Sequence, residues 1–435
     1  MDTGVVVSAP LKLKSFTDED NNMSTLQNIP IKNTPDSLNH TQENTAPRQY
    51  QFETNSIHAG VEPDPITGAI LTPIYQTTTF AQKYVGDDKG YTYSRTSNPT
   101  LTVLEKKLGE LENVEPAVCF ATGMAAITSL CLAVLKAGDH IVCSDVVYGG
   151  TVRLLRQVFE KFNVSASFVD TTDPEATKAA ITPNTKLLLI ETPANPTLKL
   201  TDIALTASIA RDAGIYLAVD NTFLTAALQQ PFKLGADIVL YSTTKYIEGH
   251  NATVGGALLS NNAELIEQFR FIQNTVGNTL SPFNAWLTLQ GIKTLPLRIK
   301  QHSENALIVA KFLEAHPNIA SVCFPGLKSF SQHQLACEQQ KNFGGILTFE
   351  VKGGYDASVS LLNATELCTL AENLGSVETI ITHPVSMTHG PISQKEREAI
   401  GITEGLVRLS VGLESPEDII ADLSQALAKS GECAA

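Results

Sequence analysis

Residues 239–250 read VLYSTTKYIEGH, and the types in this stretch can do chemistry. Apolar Ile238, Val239 and Leu240 run into the hydroxyls of Tyr241, Ser242, Thr243 and Thr244, and then into one lysine, Lys245. Hydroxyls at the end of a buried strand can each donate to an anionic phosphate oxygen. A lysine in that place, desolvated and beside other cations, has its pKa drawn down and can act as an amine nucleophile. Alternatively, Lys245 is a solvated surface lysine that follows a strand.

A carboxylate lies upstream. Residues 216–223 read YLAVDNTF, an apolar run of parallel-strand type that ends in Asp220. An acid at the carboxyl end of a parallel strand points into the crevice where open α/β sheets bind ligands. It also suits capping of the turn that follows. A phosphate cradle, a Schiff-base lysine and an acid for a ring nitrogen are together what pyridoxal phosphate requires.

The elements that must hold these groups alternate from about residue 100. Residues 101–111 have helical periodicity, and 116–120 form a short apolar strand. ATGMAAITSLCLAVLKAGD follows, in which Gly123 opens a helix that Gly138 ends. Free backbone N–H groups at such a helix start suit a phosphate. Strands are expected at 140–143, 166–169, 187–190, 236–241 and 254–259. Between them, VVYGGTVRLLRQVF carries Tyr148 into a helix with Arg153 and Arg156. ETPANPT is a proline-punctuated turn with Glu191 and Asn195 at the strand end. The pattern is that of an α/β, doubly wound, mostly parallel sheet domain over residues 100–290.

The character changes after about 290. A helix over 299–315, strands at 321–324 and 346–351, a helix over 357–362 and a final helix from Pro416 predict a smaller α+β domain over 291–435. In LVRLSVGLE, Arg408 alternates with apolar neighbours. Its head is either solvent-exposed or clamps a substrate carboxylate.

Residues 1–50 are polar, without repeat or periodicity, and read as a disordered N-terminal extension. They lack the basic start and apolar core of a secretory signal, and Asp18-Glu19-Asp20 argues against a mitochondrial transit peptide. Residues 51–99 are rich in Gly and Pro and read as an irregular arm that wraps a neighbouring subunit. On that arm Tyr93 and Arg95 offer a phenol and a planar guanidinium able to bind phosphate.

The bulk numbers bound the class. A chain of 435 residues, 43% hydrophobic and 17% charged, is that of an ordinary globular enzyme of two packed domains. The net charge of −14 disfavours nucleic acid and anionic membrane surfaces as partners. No apolar run is long enough to span a bilayer. The seven cysteines form no CxxC pair and no zinc spacing, so no metal site is expected. Scattered thiols in odd number suggest a reducing compartment, and hence the cytoplasm.

Eight motifs occur in one order: YSRTSNPT, ATGMAAI, YGGTVR, ETPANP, VDNTF, STTKYIEGH, SMTH and LVRLSVGLE. Over roughly residues 55–430 the chain resembles the Cys/Met-metabolism (transsulfuration) family of pyridoxal-phosphate enzymes. The resemblance implies PLP fold type I, similar to aspartate aminotransferase, and a homotetramer built as a dimer of dimers with sites shared between subunits. It implies that Lys245 carries the Schiff base and later shuttles protons, and that Asp220 pairs with the pyridine nitrogen. Tyr148 would stack on the ring and, as phenolate, take a proton from the incoming amine. Gly123 and Met124 would offer backbone N–H groups to the phosphate, with Ser242 and Thr244 helping. Tyr93 and Arg95 would reach it from the adjacent subunit. Asn195 would contact the ring's hydroxyl side, and Arg408 would hold the substrate α-carboxylate.

The resemblance also bears on substrate. Arg153 matches an arginine that binds a distal carboxylate in cystathionine-handling members, although it could instead be a helix-surface arginine. Methionine γ-lyases resemble YGCT at YGGT and lack the arginine. Thr92 stands where several cystathionine enzymes carry an acid, which weighs the other way. Glu378 and Ser376, in LGSVETI, match substrate-site positions, and Glu378 is shared by lyases and synthases. EGHNATVGG departs from the more usual GHSD-like segment. The expectation is a carbon–sulfur γ-lyase that cleaves L-cystathionine to cysteine, 2-oxobutyrate and ammonia. The alternative is γ-replacement on an O-acyl-L-homoserine, by a cystathionine γ-synthase or an O-acylhomoserine sulfhydrylase. Methionine γ-lyase activity ranks below both.

Overall fold

A computed structural model describes residues 50–388, 390 and 393–432 of the chain. The expected disordered extension, save its last residue, lies outside the described residues, as does His389 of SMTH.

Seven strands form the larger sheet. They are β1 (Val118–Phe120), β2 (His140–Ser144), β3 (Ser165–Val169), β4 (Thr185–Glu191), β5 (Tyr216–Asp220), β6 (Ile238–Tyr241) and β7 (Gly256–Ser260). Their order is β1-β7-β6-β5-β4-β2-β3. The run β3-β2-β4-β5-β6 is parallel throughout, and β7 lies antiparallel to both β6 and β1. The apolar run LLLI within β4 shows why both faces are covered. Leu187 and Leu189 pack on one side with Ile127 and Leu130 of the helix Gly123–Val134. Leu188 and Ile190 pack on the other with Ile203, Ala207 and Ala210 of the helix Ile203–Ala213. Alternation of side chains along a strand sends successive residues into these two cores.

The topology delivers the site. β1, β2, β4, β5 and β6 end on the same edge of the sheet, so the loops that follow them converge there. β5 and β4 are in register at Asp220 and Glu191, which sets two carboxylates side by side.

The second sheet has β8 (Ile319–Cys323), β9 (Ile346–Val351), β10 (Thr369–Leu370), β11 (Ile380–Thr382) and β12 (Leu406–Ser410), in the order β10-β11-β12-β9-β8. Val407 and Leu409 of β12 pack with Leu347 and Phe349 of β9 into a core with the helices Leu295–Ala315 and Pro416–Glu432. Arg408 therefore faces the other way, between Thr382 and Thr348.

Several boundaries differ from expectation. The helix at Gly123 ends at Val134, not at Gly138, because Leu135 is already extended. Gly138, at φ +92°, instead serves a separate turn in which the Asp139 N–H donates to the Lys136 carbonyl. The strand expected at 254–259 begins at Gly256. Two helices, Ala263–Val276 and Pro282–Ile292, fill a stretch that the periodicity reading left blank. Their caps were legible: the side chains of Asn262 and Ser281 each accept from backbone N–H groups of the first turn, and Pro282 stands at N1. Residues 51–98 are irregular apart from the helix Phe52–His58 and an isolated bridge between Thr79 and Tyr93. That helix is anchored by buried Lys107, whose Nζ donates to the carbonyls of Ser56 and Ile57 at 3.0 Å each.

Candidate active site

A cavity of about 450 Å³ opens where the loops after the parallel strands converge. Ten of the fourteen residues expected from the sequence line it: Gly123, Met124, Tyr148, Arg153, Asn195, Asp220, Ser242, Thr244, Lys245 and Arg408. They come from both sheets, so the site exists only once the two are folded against each other.

On the floor, Asp220 accepts from the Thr222 hydroxyl at 2.5 Å and from the Thr222 N–H at 3.1 Å. The Thr222 hydroxyl in turn accepts from the Ser242 N–H at 2.9 Å, which ties the ends of β5 and β6 together. Beside Asp220, Glu191 accepts from the backbone N–H of Tyr148 and of Asn195, each at 2.9 Å. Both carboxyls are raised: burial is the first cause for each, and the charge of Asp220 adds to it for Glu191. One proton between two such neighbours is the favoured state until a cation arrives.

At one end, Thr122 caps the helix Gly123–Val134 by accepting from the Ala125 N–H. Gly123 and Met124, whose N–H groups open that helix, line the cavity. A Cβ on Gly123 would stand 3.0 Å from the Ser242 Cβ and 3.2 Å from its hydroxyl, so glycine keeps this cradle open. The Thr244 hydroxyl lines the cavity but is engaged with Gly255, donating to its carbonyl at 3.2 Å and accepting from its N–H at 3.0 Å. It can serve a phosphate only by turning from that partner.

Lys245 is half-buried, and its amine is drawn down to about 8, first by burial and then by the charge of Arg408. The Tyr148 ring lies against Gly150 and Met124. A Cβ on Gly150 would meet a Tyr148 ring carbon at 2.5 Å and the Met124 sulfur at 2.8 Å. Gly150 therefore lets an aromatic face lean over the cavity.

Arg408 is 3% exposed. Its Nη1 donates to Asn195 Oδ1 at 2.9 Å. Its Nη2 donates to the Asn373 carbonyl at 3.1 Å and to the Thr382 hydroxyl at 3.2 Å. Its Nε has no partner, and among the described residues no carboxylate lies within ion-pair distance. A buried guanidinium without a counter-ion is costly, which fits a place kept for an incoming anion. Burial lowers its pKa to about 10, so it stays charged at neutral pH.

Four expected residues are elsewhere. Tyr93 and Arg95 do not line this chain's own cavity. Arg95 donates to the Asn274 carbonyl at 2.9 Å and sits 5.4 Å from the centre of the Tyr93 ring. Ser376 is buried and donates to the Glu378 carbonyl at 3.1 Å, and exposed Glu378 accepts from Asn251 at 2.9 Å. Neither lines the cavity. The sequence reading placed Glu191 at the strand end without a role and assigned nothing to Thr222 or Asn373. A hydroxyl two residues after an acid is the local signal for Thr222. Asn373 had none, since its contact to Lys245 spans 128 positions.

Comparison with known proteins agrees with this geometry. The profile of a family described as "Cys/Met metabolism PLP-dependent enzyme" matches residues 53–428. A cystathionine gamma-lyase of Bacillus subtilis (strain 168) is 46% identical over 375 residues, 86% of this chain and 98% of that protein. An L-methionine gamma-lyase of Treponema denticola is 47% identical over 390 residues, 87% of this chain and 97% of that protein. The crystal structure of a cystathionine gamma synthase from Xanthomonas oryzae pv. oryzae, in complex with aminoacrylate and cysteine, superposes with a TM-score of 0.87 at 41% identity. It covers 89% of this chain and all of that one.

Proposed function

The chain belongs to the Cys/Met-metabolism family of pyridoxal-phosphate-dependent enzymes, and we propose that its own reaction is the γ-cleavage of L-cystathionine. With one water, that reaction yields cysteine, 2-oxobutyrate and ammonia. Arg153 carries this reading. It is an exposed guanidinium at the cavity wall beside Tyr148, and among the described residues no hydrogen bond or ion pair holds it in place. A substrate whose α-carboxylate meets buried Arg408 would present its far carboxylate to a second cation, and cystathionine has two such ends.

The cofactor, when bound, supplies an electron sink for negative charge next to the substrate nitrogen. The residues around the cavity fit it: an open Gly123–Ser242 cradle with helix N–H groups for the phosphate, Asp220 for the ring nitrogen, and Lys245 for the Schiff base. Tyr148 takes a proton from the incoming amine. Arg408 orients the α-carboxylate, so that the Cα–H bond lies within reach of the Lys245 amine. Lys245 removes the Cα proton and releases it toward the electron sink, then takes one from Cβ and returns it to the departing sulfur; a value near 8 keeps part of it neutral in mildly alkaline solution. Glu191 ties the Tyr148 and Asn195 loops together through their N–H groups and, while protonated, leaves the ionised role to Asp220.

A second reading is γ-replacement on an O-acyl-L-homoserine, favoured by the match at 41% identity to a structure named as a synthase. We assign the same reading a homotetramer with shared sites. Tyr93 and Arg95 stand outside their own cavity, and the arm exposes Ile66, Ile70, Tyr84 and Val85, as a segment meant for a neighbouring subunit would. A cytoplasmic location fits the six described cysteines, all free.

A product assay decides between the readings. Cofactor-loaded protein is given L-cystathionine alone, or O-acetyl- or O-succinyl-L-homoserine with and without cysteine. Faster release of cysteine and 2-oxobutyrate from cystathionine is expected. Cysteine-dependent formation of cystathionine with little breakdown would replace this reading with the second.

A further inference from the structure

Lys245 ends a chain of hydrogen bonds that has no part in the reading above. Its Nζ donates to Asn373 Oδ1 at 2.5 Å. Asn373 Nδ2 donates to Asn251 Oδ1 at 2.5 Å, and Asn251 Nδ2 donates to Glu378 Oε2 at 2.9 Å. The two ends fix the direction of the whole chain. A carboxylate only accepts and an ammonium only donates, so each amide between them has one orientation that satisfies both neighbours. A flip of either amide would set oxygen against oxygen or N–H against N–H. Asn373 is also held through its backbone, whose carbonyl accepts from Arg408. Asn251 lies in the departing segment EGHNATVGG and adopts φ +56°, a left-handed conformation that asparagine tolerates better than most residues. A second cavity of about 550 Å³ lies on this side of the lysine, so the amine stands between two open spaces and needs a tether.

We propose that Asn373 is a positioning residue that grips the free amine of Lys245, with Asn251 and Glu378 setting the polarity of the grip. The proposal rests on the reading of Lys245 as the Schiff-base lysine, since the contact forms whenever that amine is free to donate. A carbonyl oxygen held against Nζ aims the amine and favours its protonated form. The other charged or titratable groups around the cavity are Arg408, Asp220, Glu191, Glu372, Tyr148 and Arg153. All six are unchanged by substitution in the relay.

The test compares Asn373→Asp, Asn373→Leu and Glu378→Gln in the full chain. Two readouts are taken: the pH dependence of Lys245 acylation in cofactor-free protein, by mass spectrometry, and the acidic limb of kcat in loaded protein. Asn373→Asp sets a carboxylate against Nζ and is expected to move both upward by about 1 to 3 pH units. Asn373→Leu removes the acceptor and moves both downward, by about half a unit to 1 unit. Glu378→Gln, an exposed change that leaves the core untouched, moves them in the same direction as Asn373→Leu and by less. Shifts of one sign in both Asn373 variants, or none, would overturn the relay. Borohydride reduction of the loaded protein followed by peptide mapping tests the underlying reading separately. A fixed cofactor on a residue other than Lys245 would overturn that reading, whatever the relay variants do.

Discussion

Arg408→Leu probes the most costly group in the site. The guanidinium is 3% exposed, donates three hydrogen bonds to uncharged acceptors and has no carboxylate partner among the described residues. If its purpose is the substrate α-carboxylate, the variant loses two charge-assisted hydrogen bonds of about 1.5–3 kcal/mol each. That corresponds to a loss of about 10²- to 10⁴-fold in kcat/KM, with KM raised. A second effect has a fixed sign. The charge of Arg408 is the lesser of two causes that draw the Lys245 amine down to about 8, the greater being burial. Without it the lysine binds its proton more tightly, so the acidic limb of kcat moves to higher pH, by up to about 1 unit. Steady-state kinetics from pH 6 to pH 10 measures both, with cofactor absorbance and thermal midpoint as checks on folding. A variant that keeps its cofactor, loses less than tenfold in kcat/KM and leaves the acidic limb in place would refute the assignment.

Three further outcomes are expected. Arg153→Ala lowers kcat/KM for cystathionine by about 10- to 100-fold, as for loss of one charged contact, and leaves substrates without a distal carboxylate nearly unchanged; parallel assays on cystathionine and O-acetylhomoserine measure this. Arg95→Ala weakens cofactor binding, and mixing its subunits with Tyr148→Phe subunits restores part of the lost activity; no recovery after subunit exchange would count against shared sites. Removing the cofactor makes stability depend on pH. Asp220 and Glu191 have raised carboxyl values when folded, whereas unfolded carboxylates titrate near pH ~4. Above that pH the folded chain holds more protons than the unfolded one, so the thermal midpoint of the cofactor-free protein falls as pH rises toward neutrality. Glu191→Gln flattens the fall, as scanning calorimetry at pH 5 and pH 8 would record.

Exposed arm residues and the relay at Lys245 show two kinds of information in this chain. Local rules suffice where a residue's neighbours in space are its neighbours in sequence. The apolar run of β6 ending in hydroxyls and Lys245, the run of β5 ending in Asp220 and the Gly123 helix start each carry their signal within ten residues or so. The parallel sheet follows as well, because alternating helices and strands of this length close only by crossovers. Ordered motifs then point to the family and its cofactor. Boundaries failed where a turn competed with a helix end, as at Gly138, and where caps rather than apolar period marked the helices of 263–292.

What tertiary structure alone decided is which distant groups meet. β12 brings Arg408 to Asn195 across 213 positions, and Asn373 meets Lys245 across 128, while Ser376 and Glu378 stay out of the cavity lining. Matched register makes Asp220 and Glu191 a coupled pair, although each is an ordinary strand-end acid in the sequence. Sequence determines residue types and local periods, which act between neighbours along the chain. Burial, counter-charge and hydrogen-bond partner depend on the packing of one sheet against the other, and those three quantities set the pKa values and cavity shape on which the chemistry runs.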